Sequence, residues 1–152
     1  MRGPIHEYLA RDHARLGALL EGDAYPEFRA GLLRHIAMEE KVLFADSRAR
    51  RGGEPLPIVT QLHADHAALA SLLVPPPTPA LLRTIRDLLA EHDPLEEDEG
   101  GLYDLCDQLA GPDALELVTR MRAIPEVRAS QHLDEPRIHE HIARMLAARA
   151  RT

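Results

Sequence analysis

The chain has 152 residues, 45% of them apolar and 3% aromatic, with a formal charge of −7. That length suits one domain with a single core, and the acidic balance argues against nucleic acid as a partner, because phosphate contacts need a basic surface. A single cysteine, Cys106, excludes an intramolecular disulfide, and no apolar run reaches membrane-spanning length.

Leu, Ala, Arg and Glu are abundant while Val and Ile are few, a composition that favours helices over sheet. The first predicted helix runs from about Pro4 to Glu21, with Ile5, Leu9, His13, Leu16 and Leu20 on one face. Gly22-Asp23-Ala24-Tyr25-Pro26 ends it and starts the second helix. The second stripe is Phe28, Leu32, His35, Glu39, Val42 and Asp46, fraying near Arg51-Gly52-Gly53. Arg48, Arg50 and Arg51 suit a helix C-terminus, where cations meet the dipole. After Glu54-Pro55-Leu56-Pro57 the third stripe is Val59, Leu62, His66, Leu69 and Leu73, stopped by Pro75-Pro76-Pro77. Thr78 is an N-cap candidate with Pro79 at the first helical position. The fourth stripe reads Leu81, Ile85, Leu88, His92 and Leu95/Glu96. All these spacings are three or four, the helical period.

Beyond Gly111-Pro112-Asp113 the pattern predicts a shorter helix from Ala114 to about Ile124, an irregular stretch over 125–136, and an amphipathic helix from Arg137 to Ala150. Short connections imply antiparallel neighbours, so the expected fold is all-α, an up-down-up-down four-helix bundle over residues 1–110. Residues 111–152 form a C-terminal helical extension. The start Met-Arg-Gly-Pro turns amphipathic without the apolar stretch of a signal peptide, and the lone cysteine fits a reducing setting. A soluble, cytoplasmic protein is expected.

Four histidines therefore fall inside four separate apolar stripes. His35 and His92 are each followed four residues later by a glutamate, Glu39 and Glu96, on the same helix face. His13 and His35 lie roughly ten residues from the first turn on either side, so at about 1.5 Å per residue they reach one level. His66 and His92 are also mid-helix. Burying so many polar groups is costly unless something satisfies them, and a metal centre does so directly.

The ligand types narrow the metal. Four imidazoles and two carboxylates exceed the four ligands of one tetrahedral zinc. Two metals bridged by both carboxylates would each receive two His and two oxygens. An oxo or hydroxo bridge then brings each to about five, the coordination arithmetic of a di-iron site open to O2 or peroxide. Zinc or manganese can substitute.

The ordered motifs Asp12-His13, His35-x-x-x-Glu39-Glu40-x-x-Leu43-Phe44, Asp65-His66-x-x-Leu69 and His92-x-x-x-Glu96-Glu97 resemble the hemerythrin-like (HHE cation-binding) domain. The resemblance covers approximately residues 4 to 110. It implies a four-helix bundle and a di-iron centre. His13, His35, His66 and His92 would be terminal ligands, with Glu39 and Glu96 as bridges. It also implies roles in O2 binding, O2 or redox sensing, and iron handling.

The chain departs from the family pattern in three places. Oxygen-carrying members place two histidines four apart on the third helix, whereas His63 and His66 are three apart, which leaves His63 as an additional candidate ligand. Pro94 falls inside the fourth motif, where it should disturb the helix. Gly100-Gly101 adds two residues before Leu102-Tyr103, so the helix is expected to bulge or break and Glu97 or Glu99 becomes an alternative bridge. Glu40 is expected beside the site or exposed. Tyr8, one turn before His13, is either a hydrogen-bonding or a packing residue, and His6 lies about 10 Å too far along the axis to share one centre with His13. His132, His139 and His141 are assigned to the surface, and Cys106 to the core.

Three function classes follow. The leading one is a di-iron protein that binds or senses O2 or a related small diatomic or peroxide ligand. The second is a di-iron enzyme acting on peroxide or NO, or an iron-handling protein; no substrate motif decides whether the chain is an enzyme. The third is a metal-free helical interaction module. No nucleic-acid or membrane partner is expected, and the sequence names no protein partner.

Overall fold

A computed structural model describes residues 2–152, and every regular element among them is helical. Helix α1 spans Pro4–Glu21 and α2 spans Tyr25–Met38. The chain then passes without a break through a π-helical stretch, Glu39–Phe44, into α3 at Ala45–Arg50. Helices α4 (Val59–Leu72), α5 (Pro79–Glu97) and α6 (Leu102–Ala110) follow. A 3-10 turn, Gly111–Asp113, leads to α7 (Ala114–Arg122), and α8 covers Pro136–Arg151. None of these helices is long and apolar enough to cross a membrane.

Local chemistry sets the helix boundaries. Proline occupies the first turn of α1, α2, α5 and α8, where its missing N–H leaves no bond unmade. Thr78 Oγ1 accepts from the Leu81 N–H at 3.1 Å and caps α5. Asp23 takes φ 59° between α1 and α2, a left-handed conformation that Asp tolerates.

Three details depart from simple periodicity. The π stretch shifts the register of the second stripe, so Ser47 rather than Asp46 is buried beyond Val42 and Leu43. Asp46 turns outward to pair with Arg50 at 2.7 Å. Helix α5 continues through Pro94 instead of breaking there. The ring lies on the exposed side and Ala90, whose carbonyl loses its N–H partner, is exposed too. The break comes at Gly100 and Gly101, between α5 and α6.

Gly100 has φ 79°, and the Gly101 N–H closes the turn on the Asp98 carbonyl at 2.8 Å. A Cβ at position 101 would lie 2.7 Å from the Leu95 carbonyl and 2.9 Å from those of Glu96 and Asp98. We expect Gly101→Ala to cost about 1–3 kcal/mol, the scale of overpacking against a backbone that cannot yield. Urea unfolding checks this. An unchanged midpoint would show that the turn can relax around a methyl group.

The apolar residues form two clusters. One gathers Ile5 and Leu9 of α1, Met38 and Val42 of the second helix, Leu62 of α4, Leu102 and Tyr103 of α6, and Leu117 and Met121 of α7. The other gathers Leu16 and Leu20 of α1, Phe28 and Leu32 of α2, Leu69 and Leu72 of α4, Ile85 and Leu88 of α5, and Ile142 of α8. On α1, α2 and α4 the histidine falls between the residues given to the two clusters. The helices are thus apolar at both levels and polar between them.

The C-terminal segments pack on this arrangement, α7 against α1 and α8 against α4. The connection between them is tied down by two arginines. Arg29 donates to the carbonyls of Leu73 and Ser130, each at 2.6 Å, and Arg34 donates to that of Ile124 at 2.9 Å.

Candidate metal centre

His35 and Glu39 are one turn apart on the second helix, His92 and Glu96 one turn apart on α5. His13 and His66 enter from α1 and α4. Relative exposure is 2% at His35, 0% at Glu39, 3% at His66, 3% at His92 and 0% at Glu96, so burial puts these polar groups out of reach of bulk water. His13 is nearly as enclosed.

The six side chains fall into two groups of four that share both carboxylates. In the first group, His13 Nε2 lies 3.2 Å from Glu96 Oε1, and His35 Nε2 lies 3.3 Å from Glu39 Oε2. In the second, His66 Nε2 lies 3.1 Å from Glu39 Oε1, and His92 Nε2 lies 3.2 Å from Glu96 Oε2. Each glutamate therefore presents one oxygen to each group. All donor atoms within a group lie within 4.8 Å of one another, and each group could hold a metal ion.

The outer nitrogen of every one of these histidines meets a carboxylate. His35 Nδ1 donates to Asp12 at 2.7 Å, His66 Nδ1 to Glu40 at 2.8 Å, and His92 Nδ1 to Asp65 at 2.9 Å. Glu97 lies 3.1 Å from His13 Nδ1. The three hydrogen-bonded partners fix the orientation of the His35, His66 and His92 rings and aim each Nε2 inward. Asp65 is itself held by Arg149 of α8 at 2.8 Å, so the C-terminal helix reaches this scaffold. The motifs Asp12-His13 and Asp65-His66 cross over: Asp12 serves His35, and Asp65 serves His92.

Without metal, the imidazoles and carboxylates stabilise one another's charged forms against the cost of burial. Burial disfavours a charged His92, but Glu96 and Asp65 outweigh it and lift its pKa to about 9. Burial likewise opposes charge on His13 and His66, yet Glu96 and Glu97 at the one, and Glu39 and Glu40 at the other, raise both well above the usual range. Burial works to raise the Glu96 pKa, and His92, His13 and His66 overcome it, pulling the carboxyl well below its ordinary value. Protons and metal therefore compete for the same inward nitrogens.

Satisfaction of the inward atoms differs between the groups. The buried atoms Glu39 Oε1, Glu96 Oε2 and His66 Nε2, all of the second group, have no hydrogen-bond partner. Orphaned buried polar atoms are rare in native proteins, and three converging on one point fit a missing cation. In the first group the Tyr103 hydroxyl, completely buried, touches His13, His35, Glu39 and Glu96. Burial, then Glu39 and Glu96, push its phenol pKa well above the usual value. Tyr103 was not singled out from sequence as a site residue. The available signal was Leu102-Tyr103 following the second Glu pair as Leu43-Phe44 follows the first.

Several sequence candidates lie elsewhere. His63 is 68% exposed by its side chain and turns to Glu40 at 2.8 Å, away from the cluster. Glu97 braces His13 from outside, and Glu99 is exposed. Tyr8 points its hydroxyl at Met38 Sδ at 3.7 Å. His6 bonds the Glu97 carbonyl, His132 the Val74 carbonyl and His139 the side chain of Asp134, while His141 is exposed. Cys106 is buried, which with nearby Glu39 pushes its thiol up to about 12.

Fold and site together define an all-helical protein with a buried histidine–glutamate cluster able to hold metal. No protein family, curated protein or solved structure matches the chain.

Proposed function

We propose that this chain is a hemerythrin-like non-haem di-iron protein that binds or senses O2 or a related small oxidant. The observation that carries this reading is the pair of four-donor groups sharing Glu39 and Glu96, one oxygen of each carboxylate per group. In this reading His13 and His35 hold one iron, His66 and His92 the other, and the two glutamates bridge. Mixed imidazole and carboxylate donors suit iron, with zinc or manganese as substitutes. When bound, the pair of irons supplies redox chemistry toward a small oxidant. The helices carrying the ligands are the four of a bundle, and residues 111–152 extend it.

The protein's own residues shape what can react. The clusters above and below the site keep it dry, which strengthens each ionic contact inside. So enclosed a centre suits a ligand of a few atoms. Asp12, Glu40 and Asp65 hold their imidazoles at fixed angles, so ligand exchange must take place at positions the protein does not fill.

Protein purified from iron-supplemented cells should carry two irons per chain. Mixed with O2 after anaerobic reduction, it should consume O2 in step with a change in its absorption spectrum. Zinc-loaded protein should do neither. Two bound irons with no O2 uptake would reject the oxidant reading while leaving the metal centre; absence of metal would reject both.

A further inference from the structure

The Tyr103 hydroxyl lies 2.7 Å from Glu39 Oε2, 3.1 Å from His13 Nε2, 3.2 Å from His35 Nε2 and 3.2 Å from Glu96 Oε1. These are the four inward donor atoms of the first group. Hydrogen bonding accounts for three of them: the phenol donates to Glu39 and accepts from the imidazoles of His13 and His35. A phenol has one proton to donate, and two of its neighbours are carboxylate oxygens that can only accept. The proton goes to Glu39, and the 3.2 Å approach to Glu96 is left as an oxygen–oxygen contact without a proton of its own.

A cation removes the difficulty, and the spacing fits one. With metal–donor bonds of about 2.1 Å, adjacent donors on an octahedron stand about 3 Å apart. The four phenol contacts have that spacing, as do the His13–Glu96 and His35–Glu39 separations of 3.2 and 3.3 Å. The phenol oxygen sits adjacent to all four donors, as a fifth vertex would.

The backbone delivers it there. Helix α5 ends at Glu97, and the Gly100-Gly101 turn that follows places Tyr103 in the first turn of α6. The ring is held in the core, 5.7 Å from the His13 ring and 6.0 Å from the His6 ring, centroid to centroid. The second group has no comparable donor: Phe44, at the position equivalent in the motif, stacks on His66 at 5.7 Å and brings no oxygen.

We propose that Tyr103 is itself a metal ligand, its phenolate oxygen bound to the ion held by His13 and His35. The two metals are then inequivalent. The first has five protein donors, whereas the second has four and keeps the exchangeable positions for the small ligand. Metal binding displaces the phenol proton to solvent, as it displaces protons from the imidazoles. This assignment rests on the di-metal reading above.

The test is spectroscopic. The full chain is loaded with iron(II) and oxidised with ferricyanide, and its metal content, visible absorption and resonance Raman spectrum are recorded. An iron(III) phenolate gives an intense visible charge-transfer band whose enhanced ring modes shift when the tyrosines are ring-deuterated. The chain has three tyrosines. The double variant Tyr8→Phe/Tyr25→Phe should keep the band at full strength, and Tyr103→Phe should abolish it while retaining bound iron. The double variant carries the assignment even if Tyr103→Phe does not fold. Two bound irons without a phenolate band, or a band that survives Tyr103→Phe, would overturn the ligand and leave the di-metal centre standing. A chain that binds no metal would overturn both.

Discussion

Removing metal from the loaded protein should lower its melting temperature by at least about 8 °C. The apo cluster buries Glu39 and Glu96 beside one another with three inward atoms unpartnered, and metal satisfies them only in the folded chain. A ligand present at about a thousand times its Kd stabilises a fold by about 4 kcal/mol. For a domain of this size each kcal/mol shifts the midpoint by about 2–4 °C. Calorimetry before and after exhaustive chelation, with metal content measured in parallel, checks the expectation. Equal midpoints would mean that the cluster is content without metal, and its histidines and glutamates form a purely internal ion-pair network.

A graded loss of metal affinity should follow from substitutions at increasing distance from the centre. Asp12→Ala removes only the partner of the outer nitrogen of His35, a change of the kind that typically costs about 10–100-fold in affinity. His35→Ala removes a donor that lies between Asp12 and Glu39, so its loss should exceed that range and leave at most one tightly bound metal. His139→Ala should have no effect, because that ring is exposed and bonded to Asp134. Metal content after dialysis against a graded series of chelator concentrations ranks the three. If His35→Ala retains two metals like His139→Ala, the ligand set is wrong. If Asp12→Ala loses more than His35→Ala, the carboxylate rather than the imidazole would be the donor.

The periodic spacing of apolar residues sufficed to place the helices, because a stripe recurring every three or four residues can be buried in no other regular way. The same spacing put His13, His35, Glu39, His66, His92 and Glu96 on core faces, and the structure brings these six together. The rest depended on contacts between segments distant in the chain. The π stretch at Glu39–Phe44 exchanges Asp46 for Ser47 in the core, a register shift that no local pattern announces. Pro94 is harmless because its side of α5 faces solvent, and only packing decides which side does. Glu96 rather than Glu97 enters the cluster because the helix holds its phase to Glu97 before Gly100-Gly101 turns the chain. The carboxylates beside the outer imidazole nitrogens come from other helices, 27 residues away for Asp65 and His92 and much farther for Glu97 and His13. Tyr103 was the least legible of all. An aromatic residue on an apolar face reads as core from sequence, and only the α5–α6 turn shows that its hydroxyl ends among four of the donors that the sequence places in one layer.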